Sequence, residues 1–153
     1  MKSVYAIAAA VAAADQATKA VALSVFGRGS SLSVVPGFFD LRLVMNRGAA
    51  WGMLAGRRLL LVAVSAGMLA LLWANRRELA ATRAGRVASG LLAGGIAGNL
   101  VDRALRGRVV DFLDFHVGET WAWPTFNVAD SAICAGVALL ALSAVLPWFR
   151  ARR

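Results

Sequence analysis

Residues 109–131, VVDFLDFHVGETWAWPTFNVADS, decide how the whole chain is read. Asp111 stands at the front of this stretch and Asp130 at its back. An apolar segment opens near Val128 and continues to Phe149. Asp130 therefore sits at the mouth of a helix of membrane-spanning character, where a lone carboxylate is costly to hold. Asp111 lies just outside the other flanking apolar segment. Two carboxylates meeting at a membrane boundary are the pair that an aspartyl hydrolase needs.

Composition supports the membrane setting. The 153 residues suffice for one domain, 1–153, and 59% are hydrophobic against 16% charged. Apolar runs approach the roughly 20 residues that cross a bilayer. The net charge of +9 would suggest nucleic acid in a soluble chain. Here the basic residues gather at the ends of apolar runs: Arg76 and Arg77, Arg83 and Arg86, and Arg150, Arg152 and Arg153. No basic stripe interleaved with aromatics occurs in a polar segment, so nucleic acid is not expected as a partner. Cytoplasmic arginines flanking membrane helices account for the charge. Cys134 is alone, which excludes an intramolecular disulfide. With His116 it cannot build a typical zinc site, although composition leaves a carboxylate-only metal site open.

Four membrane helices are expected, at about residues 4–26, 59–74, 87–103 and 128–149, separated by outer segments 27–58 and 104–127. The N-terminal residues have the parts of a signal peptide: Lys2, the run Ala6 to Ala14, and Ala12-Ala13-Ala14 as a small-residue site. The apolar pattern resumes after Lys19, however, and an uncleaved first helix with a polar notch fits better. Asp15 and Lys19 are four apart on one helix face and can pair. In the first outer segment, Leu32 to Val35 and Phe38 to Val44 read as strands about a Pro36-Gly37 turn, giving a small sheet on the membrane surface. Trp51 suits a headgroup-level anchor. The segment from Asn75 to Arg86 reads as a short basic loop. In the third helix Gly90, Gly94 and Gly98, with Gly95, form a small-residue face that lets helices approach closely. Asn99 and Arg103 share one face at its end, with Asp102 three residues from Asn99. The second outer segment reads as a loop carrying His116 as a surface residue and Trp121, Trp123 and Pro124 as an interfacial belt. The dense arginines of 75–86 and of the tail place both termini in the cytoplasm and both aspartates at the outer face.

Five motifs now stand in order: Asp15-Gln16-Ala17-Thr18-Lys19, Asn46-Arg47-Gly48-Ala49-Ala50-Trp51-Gly52, Gly98-Asn99-Leu100-Val101-Asp102-Arg103, Val109-Val110-Asp111-Phe112 and Phe126-Asn127-Val128-Ala129-Asp130-Ser131. Together with four apolar segments they resemble the bacterial lipoprotein signal peptidases, the signal peptidase II family. The family more often has Phe where Trp51 stands, a change that bears on the shape of the lipid or peptide groove. The resemblance implies a mainly α membrane protein with a small extracytoplasmic sheet in the bacterial inner membrane. It implies an intramembrane aspartyl endopeptidase that cuts diacylglyceryl-modified prolipoproteins just before the lipidated cysteine. It assigns Asp111 and Asp130 as the catalytic dyad. Asn99, Arg103 and Asn127 would orient the substrate backbone or the dyad, and Asp15, Lys19, Asn46, Gly48 and Ala129 would complete or support the site. No metal or cofactor is implied, membrane phospholipid surrounds the protein, and a monomer is expected. Two rivals make different predictions. In a small transporter or channel, Asp15, Lys19, Asn99 and Asp130 would line a polar path; in a scaffold, the glycine face would only drive assembly. Without the resemblance, Asp111 and Asp130 also read as helix caps or as partners of Arg103.

Overall fold

The structure is a computed structural model that describes residues 1–27, 30–49, 53–118 and 120–150, the last five for their backbone alone. Trp51, the expected headgroup anchor, lies outside the described residues, as do Ala50, Gly52 and Glu119 and the tail arginines Arg152 and Arg153. Nine elements follow in chain order among these residues: α1 (Lys2–Val25), β1 (Ser31–Val35), β2 (Phe39–Asn46), α2 (Arg58–Ala74), α3 (Arg76–Leu79), α4 (Arg83–Leu105), β3 (Val109–Val117), β4 (Trp121–Ala122) and α5 (Val128–Arg150).

The molecule is mainly helical, with α4 packed between α1 and α5 and α2 alongside. Glycine disfavours an isolated helix by about 1 kcal/mol relative to alanine, so α4 is held by tertiary packing rather than propensity. A Cβ on Gly90 would come 2.7 Å from Ile7 Cβ, and one on Gly94 would come 2.6 Å from Ala8 O, so these glycines bring α4 onto α1. Gly95 does not share that face as expected: it meets Ala129 and Ile133 of α5. One residue further along a helix turns by about 100°, which carries Gly95 to the other neighbour. The apolar core along these seams includes Ala88, Leu92, Ile96, Ala129 and Ala132.

Helix boundaries extend past the apolar runs. α4 begins at Arg83 rather than near residue 87, because Thr82 Oγ1 accepts the Gly85 N–H at 2.9 Å and caps it. The expected 75–86 loop contains α3, a single turn whose charged side chains carry no apolar periodicity. Among the described residues, α1 and α5 are long and apolar enough to cross a membrane; α2 is apolar but has 17 residues. α4 falls outside that class because its charged ends, Arg83, Arg86, Asp102 and Arg103, offset its apolar middle.

The sheet has the order β1-β2-β3-β4 with antiparallel pairing throughout. Its first hairpin turns at Pro36-Gly37, where Gly37 has φ 75°, as the sequence suggests. Its other half corrects the reading of residues 104–127 as loop. Val109–Val117 is a strand in which Asp111 pairs in register with Val44, and the acidic residues within it obscure its β-rich character. Phe126 then lies on the free side of β3: Phe112 N and Leu113 N both donate to Phe126 O at 2.9 Å, and Phe126 N donates to Leu113 O at 3.0 Å. Stacked rings reinforce this, with Phe115 at 4.5 Å from Phe39 and 5.7 Å from Phe126. This clasp delivers Asn127 and the first turn of α5 beside Asp111.

Candidate active site

Asparagine at residue 127 ends the extended segment and starts the helix. Its Oδ1 accepts the Asp130 N–H at 2.9 Å, while Asp130 Oδ2 accepts the Asn127 N–H at 3.3 Å. This reciprocal cap is the arrangement that a short polar side chain and an acid three residues later are built to make. The same Asn127 donates from Nδ2 to Asp111 Oδ1 at 2.6 Å. One residue therefore touches both carboxylates, Asp111 through its side-chain amide and Asp130 through its backbone N–H, and the capping role considered for Asp130 coexists with its place in the site.

Each carboxylate has a further donor. Asn99 Nδ2 reaches Asp130 Oδ1 at 2.7 Å, and Asn46 Nδ2 reaches Asp111 Oδ2 at 3.0 Å. The senses of these amides are fixed from behind. Asn99 Oδ1 accepts from Lys19 Nζ at 3.0 Å and from Asn127 Nδ2 at 3.2 Å, and Asn46 Oδ1 accepts the Gly48 N–H at 2.8 Å. Asp111 is only 2% exposed. Burial, and then the Asp130 charge, push its carboxyl up to about 6, against the opposing pull of Asn46, Asn127 and Lys19.

Beneath the dyad, Lys19 is fully buried and pairs with Asp15 and with Asp102, each at 2.8 Å. The expected Asp15–Lys19 pair is present, with a second acid completing it. Asp15 Oδ1 accepts the Ala129 N–H at 2.9 Å, and Asp102 Oδ2 accepts the Val110 N–H at 3.1 Å. The two anions thus grip the backbone next to Asp130 and next to Asp111. Arg106 bonds the other oxygen of Asp102 and donates to Gln16 Oε1 at 3.0 Å. Arg103 makes no ion pair among the described residues; its Nη2 donates to Gly48 O at 3.2 Å.

All ten residues singled out from the sequence belong to this connected network. Asp111, Asp130, Asn46 and Arg103 line one cavity of about 410 Å³, together with Trp123, Phe126 and Ile133 among others. Asp102 and Arg106 belong to the network without an expected role, and their i,i+4 spacing is the local signal for a pair. Gln16, quoted within a motif, bridges Gly98 O at 3.1 Å and Asp102 Oδ1 at 3.3 Å. Arg58 was also missed: it donates to Arg103 O at 2.7 Å and Ala104 O at 2.6 Å, holding the end of α4. Nothing local marked it. His116 lies away from the cavity, 3.3 Å from Asp40. A buried carboxylate and a half-buried one, both held by Asn127 and facing one cavity, can share a proton between them.

Comparison with known proteins bears on the same site. Residues 7–146 match the family model described as Signal peptidase (SPase) II. The chain is 44% identical over 141 residues to the lipoprotein signal peptidase of Syntrophotalea carbinolica, covering 90% of this chain and 87% of that one. It is 46% identical over 142 residues to that of an Azoarcus species, covering 88% and 77%. A solved structure described as a bacterial membrane enzyme, obtained by the in meso method at 2.3 Å resolution, superposes with a TM-score of 0.89 at 33% identity, covering 100% of this chain and 93% of that chain. With nearly its whole length matched by the family and its fold shared with a bacterial membrane enzyme, the chain belongs to the signal peptidase II family.

Proposed function

We propose that the protein is an intramembrane aspartyl endopeptidase that removes the signal peptide from diacylglyceryl-modified prolipoproteins, cutting before the lipidated cysteine. The observation that carries this reading is the cavity shared by Asp111 and Asp130, with Asn127 bonded to both. The pair holds one proton. Its ionised member takes a proton from water as that water attacks the scissile carbonyl; its protonated member donates to the carbonyl oxygen, and a proton then passes to the leaving amine. Asn99 and Asn127 hold the carboxylates in place, and Arg103 presents a guanidinium to the cavity where an extended peptide would offer carbonyls. Asp15, Lys19, Asn46, Gly48 and Ala129 support that frame.

The single domain spans residues 1–153, with α1, α2, α4 and α5 crossing the bacterial inner membrane, both termini in the cytoplasm and the sheet at the outer face. The protein acts as a monomer surrounded by phospholipid. Burial supports this reading over a polar conduit: Asp15 and Lys19 have no exposed surface and bond to each other. The test is incubation of the purified protein in detergent with lipidated and unlipidated precursors, beside Asp111→Asn and Asp130→Asn. The wild type should cut only the lipidated precursor and neither variant should cut. Wild-type rates from both variants would reject the dyad.

A further inference from the structure

The end of the bundle opposite the dyad carries a cluster for which hydrolysis has no use. The Tyr5 and Trp73 rings lie 6.3 Å apart, and Gly90 packs against Val4 and Ile7, so the starts of α1 and α4 meet the end of α2 there. α3 sits at the same end. Residues 75–86 hold Arg76, Arg77, Arg83 and Arg86 against Glu78 alone. Two of these arginines are fixed in place: the Arg76 guanidinium lies 4.4 Å from the centre of the Trp73 ring and donates to Trp73 O at 2.7 Å, and Arg86 donates to Ala80 O at 3.3 Å. The side chains of Arg77 and Arg83 make no hydrogen bond or ion pair among the described residues.

We propose that this end binds the phosphodiester headgroup of an anionic phospholipid. Arg77 and Arg83 contact the phosphate, Arg76 is pre-placed by Trp73, and the Tyr5–Trp73 pair rests at the acyl-chain boundary. A guanidinium fork matches phosphate oxygens in a bidentate manner. Amphipathic rings settle at the headgroup level, and basic pockets between helix ends on the cytoplasmic side suit anionic headgroups. Lipid rather than another anion is favoured by what adjoins the cluster. Tyr5, Leu71 and Trp73 are 48%, 65% and 57% exposed, so charge passes directly into an apolar helix surface. Along α4, the rise from Arg83 to Asn99, which bonds Asp130, separates this end from the dyad by about 24 Å. The inference rests on the bilayer orientation proposed above.

The test is native mass spectrometry and thermal unfolding of the wild type in phosphatidylcholine with and without phosphatidylglycerol. Arg77→Gln/Arg83→Gln is compared with a charge-matched control at the opposite end, Arg57→Gln/Arg108→Gln. The wild type should retain phosphatidylglycerol and unfold at a higher temperature when it is present. Each arginine at an anionic surface contributes about five-fold, so Arg77→Gln/Arg83→Gln should bind roughly 30-fold more weakly. Its unfolding in phosphatidylcholine should match the wild type, since neither side chain has a protein partner. The control should bind as the wild type does. Equal retention by Arg77→Gln/Arg83→Gln, an equal loss in the control, or displacement of the lipid by inorganic phosphate at matched ionic strength would overturn the proposal. Should Arg77→Gln/Arg83→Gln fail to fold, a wild type indifferent to phosphatidylglycerol overturns it alone.

Discussion

Replacing Lys19 with Met keeps the length of the side chain and removes its charge. In the folded protein Lys19 Nζ has three partners, Asp15 and Asp102 at 2.8 Å and Asn99 Oδ1 at 3.0 Å, and neither it nor the two carboxylates are exposed. With Arg106 on Asp102, the cluster holds two anions and two cations. Lys19→Met leaves one anion in excess in a dry interior. Removing one member of a buried ion pair costs about 3–5 kcal/mol, a large share of the roughly 5–15 kcal/mol by which proteins are stable. For a chain of this size that lowers the unfolding temperature by roughly 6–20 °C. Chemical and thermal unfolding in detergent would measure it. The double variant Asp15→Asn/Lys19→Met restores the balance of charge, leaving Asp102 with Arg106 and an amide oxygen for the Ala129 N–H. It should recover more than half of the loss. A loss below about 1 kcal/mol for Lys19→Met, or a double variant less stable than the single one, would refute the view that charge balance holds this core.

Three further outcomes are expected. Asp111→Asn should abolish cleavage yet stabilise the fold. Because the folded carboxyl is raised from 3.8 to about 6, the contribution of Asp111 is fully favourable below pH 3.8 and is lost as pH rises through about 6. At 1.36 kcal/mol per unit the variant gains at most about 3 kcal/mol at neutral pH, and unfolding curves should converge with the wild type in acid. Cleavage by the wild type should fall as pH rises through about 6, where the pair loses its shared proton; a flat rate profile across that range would contradict the shared-proton step. Gly94→Ala should push α4 off α1, since its Cβ would meet Ala8 O at 2.6 Å and Val11 Cβ at 2.7 Å. The overpacking should cost about 1–3 kcal/mol in unfolding measurements, whereas the same change at Gly67, which meets nothing within 4 Å, should cost far less.

Much of this was legible in the order of residues because membrane helices announce themselves by apolar length, and paired polar residues within them stand out. Asp15 with Lys19, and Asn99 with Arg103, were visible as one-face pairs. Asp102 was visible but unassigned, since its partners Lys19 and Val110 come from a distant helix and from a strand that local pattern did not reveal. β3 escaped because Asp111 and Asp114 interrupt a run that otherwise favours a strand. Pairing with β2 and the Phe126 clasp stabilise it, and both are long-range. The start of α4 was misplaced because Arg83 and Arg86 weaken the apolar signal where Thr82 caps the helix.

The dual attachment of Asn127 ties two events that most enzymes keep apart. The bond that starts α5 and the bond that holds Asp111 use the same side-chain amide, and the Asn127 backbone N–H holds Asp130, so unwinding one turn at that helix end would also separate the two carboxylates. Under the mechanism proposed above, catalytic competence is a property of a secondary-structure boundary. Any agent that frays the boundary, whether a wedge-shaped inhibitor or a local change in bilayer thickness, would switch off hydrolysis without occupying the place of the substrate.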